Sequence, residues 1–395
     1  MSKSQLTLAT LCLALFAAPA SWALEVKVAL LRVDKPMPPP ISRLDVPPAD
    51  LGLAGAKLGN EDNRTTGAFT GTDYKLTTKT VGPADALAAL DALKAEGIGL
   101  IAVISDGETL KQLADRAGPD TLILNAGARD DALRDAECRA NVLHVSPSRS
   151  MLTDSVVQFL MWKKWARILL IYGSHPEDKL LADSYRKSAA KFGAKIVEER
   201  EFVDTGGARR TDTGQVQVQR QIPVFMQDAK VHDVTIAADE TDVFAAYLPY
   251  HSWAPRPVAG SAGLMPLSWH PAHESWGATQ FQRRFEKLAG RTMREEDYQA
   301  WLAMRVVGEA VTRSGKADAK SIRDYALSKD FDLAAFKGQK LTFRTWNGQM
   351  RQPILLGDGR ITVSVSPQDG YLHQFSPLDT LGIDAPETAC HAFGG

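Results

Sequence analysis

Three tryptophans fall within 24 positions, Trp253, Trp269 and Trp276, with Arg256 and His270 among them and Pro255, Pro257 and Pro271 between. Indole faces interleaved with a guanidinium suit stacking on a flat ring and pairing with its acidic substituents. The prolines place this run in loops, where core packing does not require it. A second set of polar residues follows runs that read as strands. Arg43 comes after a proline-rich stretch, Ser105-Asp106-Gly107 after one apolar run, and Asn125-Ala126-Gly127-Ala128-Arg129 after the next. Tyr172 and Asp239-Glu240 end two later runs. Residues at such ends either cap the following helix or meet a ligand.

The residues for covalent chemistry are not in pattern. Gly260-Ser261-Ala262-Gly263 carries its serine one position too early for a G-x-S-x-G nucleophile elbow. His270, His273 and Glu274 are interrupted by Pro271, which breaks the helix that would align the two imidazoles, so no metal is expected. A glycine-rich phosphate loop ending in lysine is also missing. No catalytic residue and no catalytic cofactor is expected.

The elements that must hold these residues alternate. Glu25–Leu31 reads as a buried strand, followed by the Pro36–Pro40 stretch. Asp50 can cap a helix to about Asn63, with Gly67 as its stop. Tyr74–Val81, Gly99–Ile104 and Thr121–Leu124 read as strands, separated by helices over Pro83–Glu96 and Glu108–Arg116. The pattern restarts after Pro147, with helices over Met151–Lys164 and Lys179–Phe192 and strands over Arg167–Tyr172, Lys195–Glu201, Val231–Ala238 and Arg256–Ala262. The stretch from Asp204 to Gln221 is polar and reads as an exposed connection. A helix over Glu295–Val311 sets Tyr298, Leu302, Val306 and Ala310 on one apolar face beside Trp301, a core residue. Leu341–Arg344 and Gln352–Leu356 read as a hairpin around Asn347-Gly348, with a third strand over Arg360–Val365. The fold class is therefore α/β: two lobes, each a mostly parallel sheet flanked by helices, with a cleft between them.

The first 23 of the 395 residues have the form of an export leader: Lys3, an apolar run over Leu6–Ala18, and Ser21-Trp22-Ala23 as a cleavage site. The expected mature chain starts near Leu24, outside the cytoplasm, with no segment for membrane insertion. The leader holds one of the 46 basic residues that face 47 acidic ones, a balance that argues against nucleic-acid binding. Cys138 and Cys390 remain after cleavage, and an oxidising compartment would pair them; the alternative is two buried thiols.

Leu51-Gly52-Leu53-Ala54-Gly55-Ala56-Lys57-Leu58-Gly59-Asn60-Glu61-Asp62-Asn63 resembles the first helix of type I periplasmic solute-binding proteins of the leucine/isoleucine/valine class. Lys340-Leu341-Thr342-Phe343 with Asn347-Gly348 resembles their terminal hairpin. A narrower resemblance is to ABC-transport substrate-binding proteins associated with alcohol dehydrogenases that depend on pyrroloquinoline quinone (PQQ). It is carried by Asp62–Gly67, Pro147–Leu152, Arg283-Arg284-Phe285, Gly290-Arg291 and Asp297–Trp301.

The resemblance implies three crossovers between lobes. The first lobe takes residues 24–147 plus about 265–338, the second 148–264 plus about 339–370, and 371–395 form a C-terminal tail. It implies a periplasmic protein that closes over a small anionic aromatic solute, PQQ itself as bound ligand or a molecule related to alcohol oxidation, and delivers it to an ABC permease. The candidate ligand set, read from the strand ends and the tryptophan run, is Arg43, Ser105, Asp106, Asn125, Gly127, Arg129, Tyr172, Asp239, Trp253, Arg256, Trp269 and Trp276. Ser105 and Asn125 stand where amino-acid binders of this class hold their ligand. The alternatives are a binder of branched-chain amino acids or another small organic acid, and an accessory or sensor subunit of a PQQ-dependent dehydrogenase system.

Overall fold

The computed structural model describes residues 23–36, 40–206 and 217–393. The expected leader up to Trp22, the middle of the proline run and most of the polar stretch after Asp204 lie outside them. Among the described residues, no helix is long and apolar enough to cross a membrane.

The chain builds one lobe first from β1 (Leu24–Val33), α1 (Leu53–Thr70), β2 (Thr72–Val81), α2 (Ala86–Ala95), β3 (Leu100–Ile104), α3 (Gly107–Ala117), β4 (Leu122–Asn125) and β5 (Val142–His144). The strands form one parallel sheet in the order β2-β1-β3-β4-β5. Side chains alternate across it: Val28 and Leu30 enter one core, Ala29 and Leu31 the other, each fully or almost fully buried. Both faces are covered, which is why these strands read as continuous apolar runs.

α1 does not stop at Gly67. It runs to Thr70 and ends on Gly71, whose φ of 67° is the left-handed cap. Gly67 is needed for closeness instead, since an added Cβ would stand 2.3 Å from Thr72 O and 3.1 Å from the Tyr74 ring.

The second lobe follows with α4 (Arg149–Trp162), β6 (Arg167–Gly173), α5 (Pro176–Phe192), β7 (Lys195–Phe202), α6 (Val218–Phe225), β8 (Val234–Ala238), α7 (Leu248–His251) and β9 (Val258–Gly260). Its sheet is parallel in the order β7-β6-β8-β9. β10 (Met265–Leu267) then leads back to the first lobe, which gains α8 (Ala278–Ala289), α9 (Glu295–Ser314), α10 (Ala319–Ala326) and β11 (Leu333–Ala334).

α9 is buried along most of its length against α1, with Trp301 in the core as its helical face predicts. The two helices touch through glycine: a Cβ on Gly55 would stand 1.8 Å from Asp297 O. Asn63 Nδ2 donates to Met304 O at 2.7 Å, and Trp301 Nε1 to Asp62 Oδ2 at 2.9 Å. The Asp62-Asn63 motif is thus helix–helix packing between α1 and α9.

The terminal strands correct the hairpin reading. β12 (Lys340–Phe343) pairs across the Asn347-Gly348 turn with β13 (Met350–Arg351), whereas β14 (Ile354–Gly357) pairs with β10 and β15 (Thr362–Ser366). Leu341, Phe343 and Met350 are buried in the first lobe's core, and Leu356 in the second lobe's. The third crossover therefore falls at Gln352-Pro353, later than the expected position near 339, because the apolar face of β12 completes the core over α9. Residues 371–393 pack back on the body, and a disulfide joins Cys138 to Cys390 with Cα atoms 5.6 Å apart.

Candidate functional site

In both sheets the strands run toward the lobe junction, so the loops at their carboxyl ends face each other across a crevice. Three crossovers floor it: Ser146–Ser148, Ser268, and Gln352-Pro353. Arg149, the first residue of α4, follows directly on the first crossover. Ser148 caps that helix through its Oγ, and Arg149 N donates to Arg129 O at 2.8 Å.

The Arg149 guanidinium joins the lobes. Nε and Nη2 donate to the two oxygens of Glu240 in the second lobe at 2.7 and 2.9 Å, and Nη1 donates to Asp130 Oδ1 in the first lobe at 2.8 Å. Its side chain is only 8% exposed. Burial opposes its charge, but these two carboxylates outweigh burial and raise its pKa. Beside it Arg129 donates to Glu295 Oε1 at 3.2 Å, and the other Glu295 oxygen receives the Ser268 hydroxyl at 2.8 Å. Burial, reinforced by Glu295, pushes the Glu296 carboxyl up, against the pull of Arg129. Lys35, exposed, and Glu177, half-buried, face each other across the lobes at 3.6 Å.

Of the expected ligand residues, Ser105, Asp106, Gly127 and Arg129 come together on the first lobe's wall. An added Cβ on Gly127 would stand 2.9 Å from Ser105 N, so glycine lets these two loops touch. Asp106 caps α3, accepting from Thr109 N at 2.8 Å. Asn125 is fully buried and already committed: Nδ2 donates to Ala128 O, and Oδ1 accepts from Gly127 N and Ala128 N. It shapes the loop and does not reach the crevice. Asp239 does the same in the second lobe, accepting from the backbone of Val243, Phe244 and Ala245. The Tyr172 ring lies under Arg186 of α5, 5.2 Å away. Arg43 is exposed on the loop after β1.

The tryptophan run does not form a clamp. β8 ends at the crevice and α7 carries the chain back, so Trp253 and Arg256 sit at the opposite end of the sheet. Arg256 Nε bonds His232 O there, just ahead of β8. Trp269 is 1% exposed, stacked on Tyr298 at 4.8 Å in the first lobe's core. Trp276 is exposed on the first lobe's surface, packed over Gly338.

Sequence reasoning passed over Asp130, Arg149 and Glu295. One signal was there: Ser148 three residues before the expected helix start at Met151 marks an N-cap, which puts Arg149 at the junction.

The hinge itself is polar and buried. Lys337 Nζ, in a side chain 1% exposed, donates to Gln352 Oε1 at 2.8 Å and Pro353 O at 3.0 Å, 4.8 Å from the Tyr298 ring centre. Gln352 Nε2 in turn donates to Val145 O at 2.7 Å, tying the third crossover to the first. Burial pushes the Lys337 pKa down to about 7 from its ordinary 10.5. Between those values the unfolded chain binds more protons than the folded one, so stability rises with pH across that window. Lys337→Met should flatten the rise, and proton uptake on unfolding at pH 8–9, measured by calorimetry in buffers of different ionisation enthalpy, should fall by up to about one proton.

Two parallel-sheet lobes linked by three crossovers around a crevice define the two-lobe type I periplasmic binding-protein fold. The leucine-, isoleucine-, valine-, threonine- and alanine-binding protein of Brucella ovis, in its closed conformation, superposes with a TM-score of 0.69 at 15% identity, over 85% of this chain and 90% of that one. A branched-chain amino acid ABC transporter periplasmic ligand-binding protein of Burkholderia xenovorans LB400 gives 0.68 at 15% identity, over 93% and 100%. A solute-binding protein of an ABC transporter from R. palustris, in complex with benzoate, gives 0.64 at 13% identity, over 93% and 99%. No family model and no curated protein matches the chain.

Proposed function

We propose that this chain is the exported, periplasmic solute-binding component of an ABC-type uptake system, closing its lobes over a small carboxylate-bearing solute without transforming it. The observation that carries this reading is the Asp130–Arg149–Glu240 bridge, which joins both lobes at the floor of the crevice. A solute touching both walls only when the lobes are shut would favour the closed state by its extra contacts, and a permease could then distinguish loaded from empty protein. Ser105, Gly127 and Arg129 line the wall that a carboxylate would meet, and a single carboxylate there would replace Glu295 as the partner of Arg129. The scale of solute agrees with relatives in fold that hold leucine, benzoate or 3,4-dihydroxybenzoic acid.

PQQ is the second reading, favoured by the two adjacent arginines and by the sequence resemblance. Its three carboxylates would need cations that are not already neutralised, and its rings would need aromatic faces; the tryptophans expected to supply them lie elsewhere. Isothermal titration separates the readings. Leucine or a benzoate should release heat with one site per chain, and PQQ should not. Saturable micromolar binding of PQQ with silence from the small acids would reverse the order. A crevice that takes none of these, in a protein that co-purifies with a dehydrogenase, would move the chain to an accessory role.

A further inference from the structure

Beyond β15 the chain returns along the lobe junction and holds both lobes at once. Toward the first lobe, Asp379 is buried and receives Arg344 Nε at 2.9 Å and Arg351 Nε at 2.8 Å, from the two ends of the β12–β13 turn. Arg344 Nη2 also donates to the carbonyls of Leu378 and Leu381 at 3.0 and 2.6 Å. Toward the second lobe, Gln158 of α4 donates to Thr380 Oγ1 at 2.9 Å. Gly382 N donates to Asp154 of α4 at 2.7 Å, and Lys191 of α5 donates to Gly382 O at 2.8 Å. Leu381 is fully buried with Met151, Leu152 and Ile354, in a small apolar cluster separate from the main cores. The chain then returns to the first lobe, where Thr388 Oγ1 donates to Arg134 O and Cys390 is bonded to Cys138.

Four residues, Asp379 to Gly382, therefore carry groups from both lobes, and an extended segment of that length spans only about 13 Å. When the lobes rotate about their crossovers, the arginines of one and the Asp154–Lys191 pair of the other change their spacing, and so short a segment cannot follow both. We infer that residues 377–390 are a fourth, hinge-side link between the lobes that limits how far the crevice opens, with the Cys138–Cys390 disulfide as its end anchor. Without that anchor the link would be free to peel away from its terminus. This device does not depend on which solute the crevice takes, or on its taking one.

The test uses the full-length protein without added solute. Fluorophores are attached through non-cysteine chemistry at Arg43 on the first lobe and Lys179 on the second, both exposed. Interlobe distance distributions are compared for the oxidised parent, Cys138→Ser/Cys390→Ser, and Gly382→Ala. The last keeps the disulfide but places a Cβ 2.7 Å from Met151 Cγ at a φ of 84°, forcing the link off α4. Both variants should shift the distribution to longer distances and broaden it while unfolding stays cooperative. A distribution unchanged from the parent in the folded variants overturns the inference. If the serine pair does not fold, Gly382→Ala decides alone.

Discussion

Asp379→Ala should lose about 3–5 kcal/mol of unfolding free energy, the largest single effect expected in this chain. The carboxylate is buried between Arg344, itself fully buried, and Arg351, whose side chain is 14% exposed. Burial already lowers the Arg344 pKa, and Asp379 is the charge that works against that. Removing it leaves two cations at the hinge facing carbonyls, one hydroxyl and the Trp346 ring, with Asp384 the remaining charge that favours Arg344, which costs far more than losing an exposed pair would. Asp379→Asn keeps the shape and should recover less than half of the loss, because the missing ingredient is charge. Urea unfolding monitored by circular dichroism gives both values, and a loss below about 1 kcal/mol for alanine would show that the arginines are solvated in some other way.

Arg149→Met should weaken solute binding about 30-fold, corresponding to about 2 kcal/mol, and cost a similar amount of stability. Asp130 and Glu240 are a quarter or more exposed, so water relieves part of their mutual repulsion, and the stability cost stays below that for Asp379. The affinity loss follows from closure: without the guanidinium the shut crevice brings two carboxylates together with no cation between them, and a carboxylate solute adds a third. Glu240→Gln in the same background should restore part of both losses, a non-additivity of about 1 kcal/mol or more. Equal affinity in parent and Arg149→Met, with the same solute, would remove Arg149 from the closure mechanism.

The alternation of strands and helices was legible because each strand is buried on both faces and each helix on one, and those burial patterns are written directly in residue type. Helix ends were less so. Gly67 and Gly71 are the same residue four positions apart; only the approach of Thr72 and Tyr74 makes the first a packing position and leaves the second as the cap. The tryptophan run misled for a related reason. Its composition speaks of loops and aromatic faces, yet α7 carries two of its members away from the crevice, and the return through β10 buries Trp269 among Phe281 and Tyr298. That Ser105, Gly127 and Arg129 share one wall was recoverable, since the carboxyl ends of parallel strands lie along one edge of their sheet. Arg149 was harder: Glu240 lies 91 positions away and Asp130 19, and neither spacing leaves a local trace.

Two α/β lobes and their strand ends follow from hydrophobic periodicity and turn chemistry within short windows of residues. Which charges meet at the crevice floor, where the third crossover falls and that the tail spans the hinge follow from the folded arrangement alone. Those outcomes depend on contacts between segments far apart in the chain, fixed by how the lobes' apolar faces close and by the need of each buried charge for a partner.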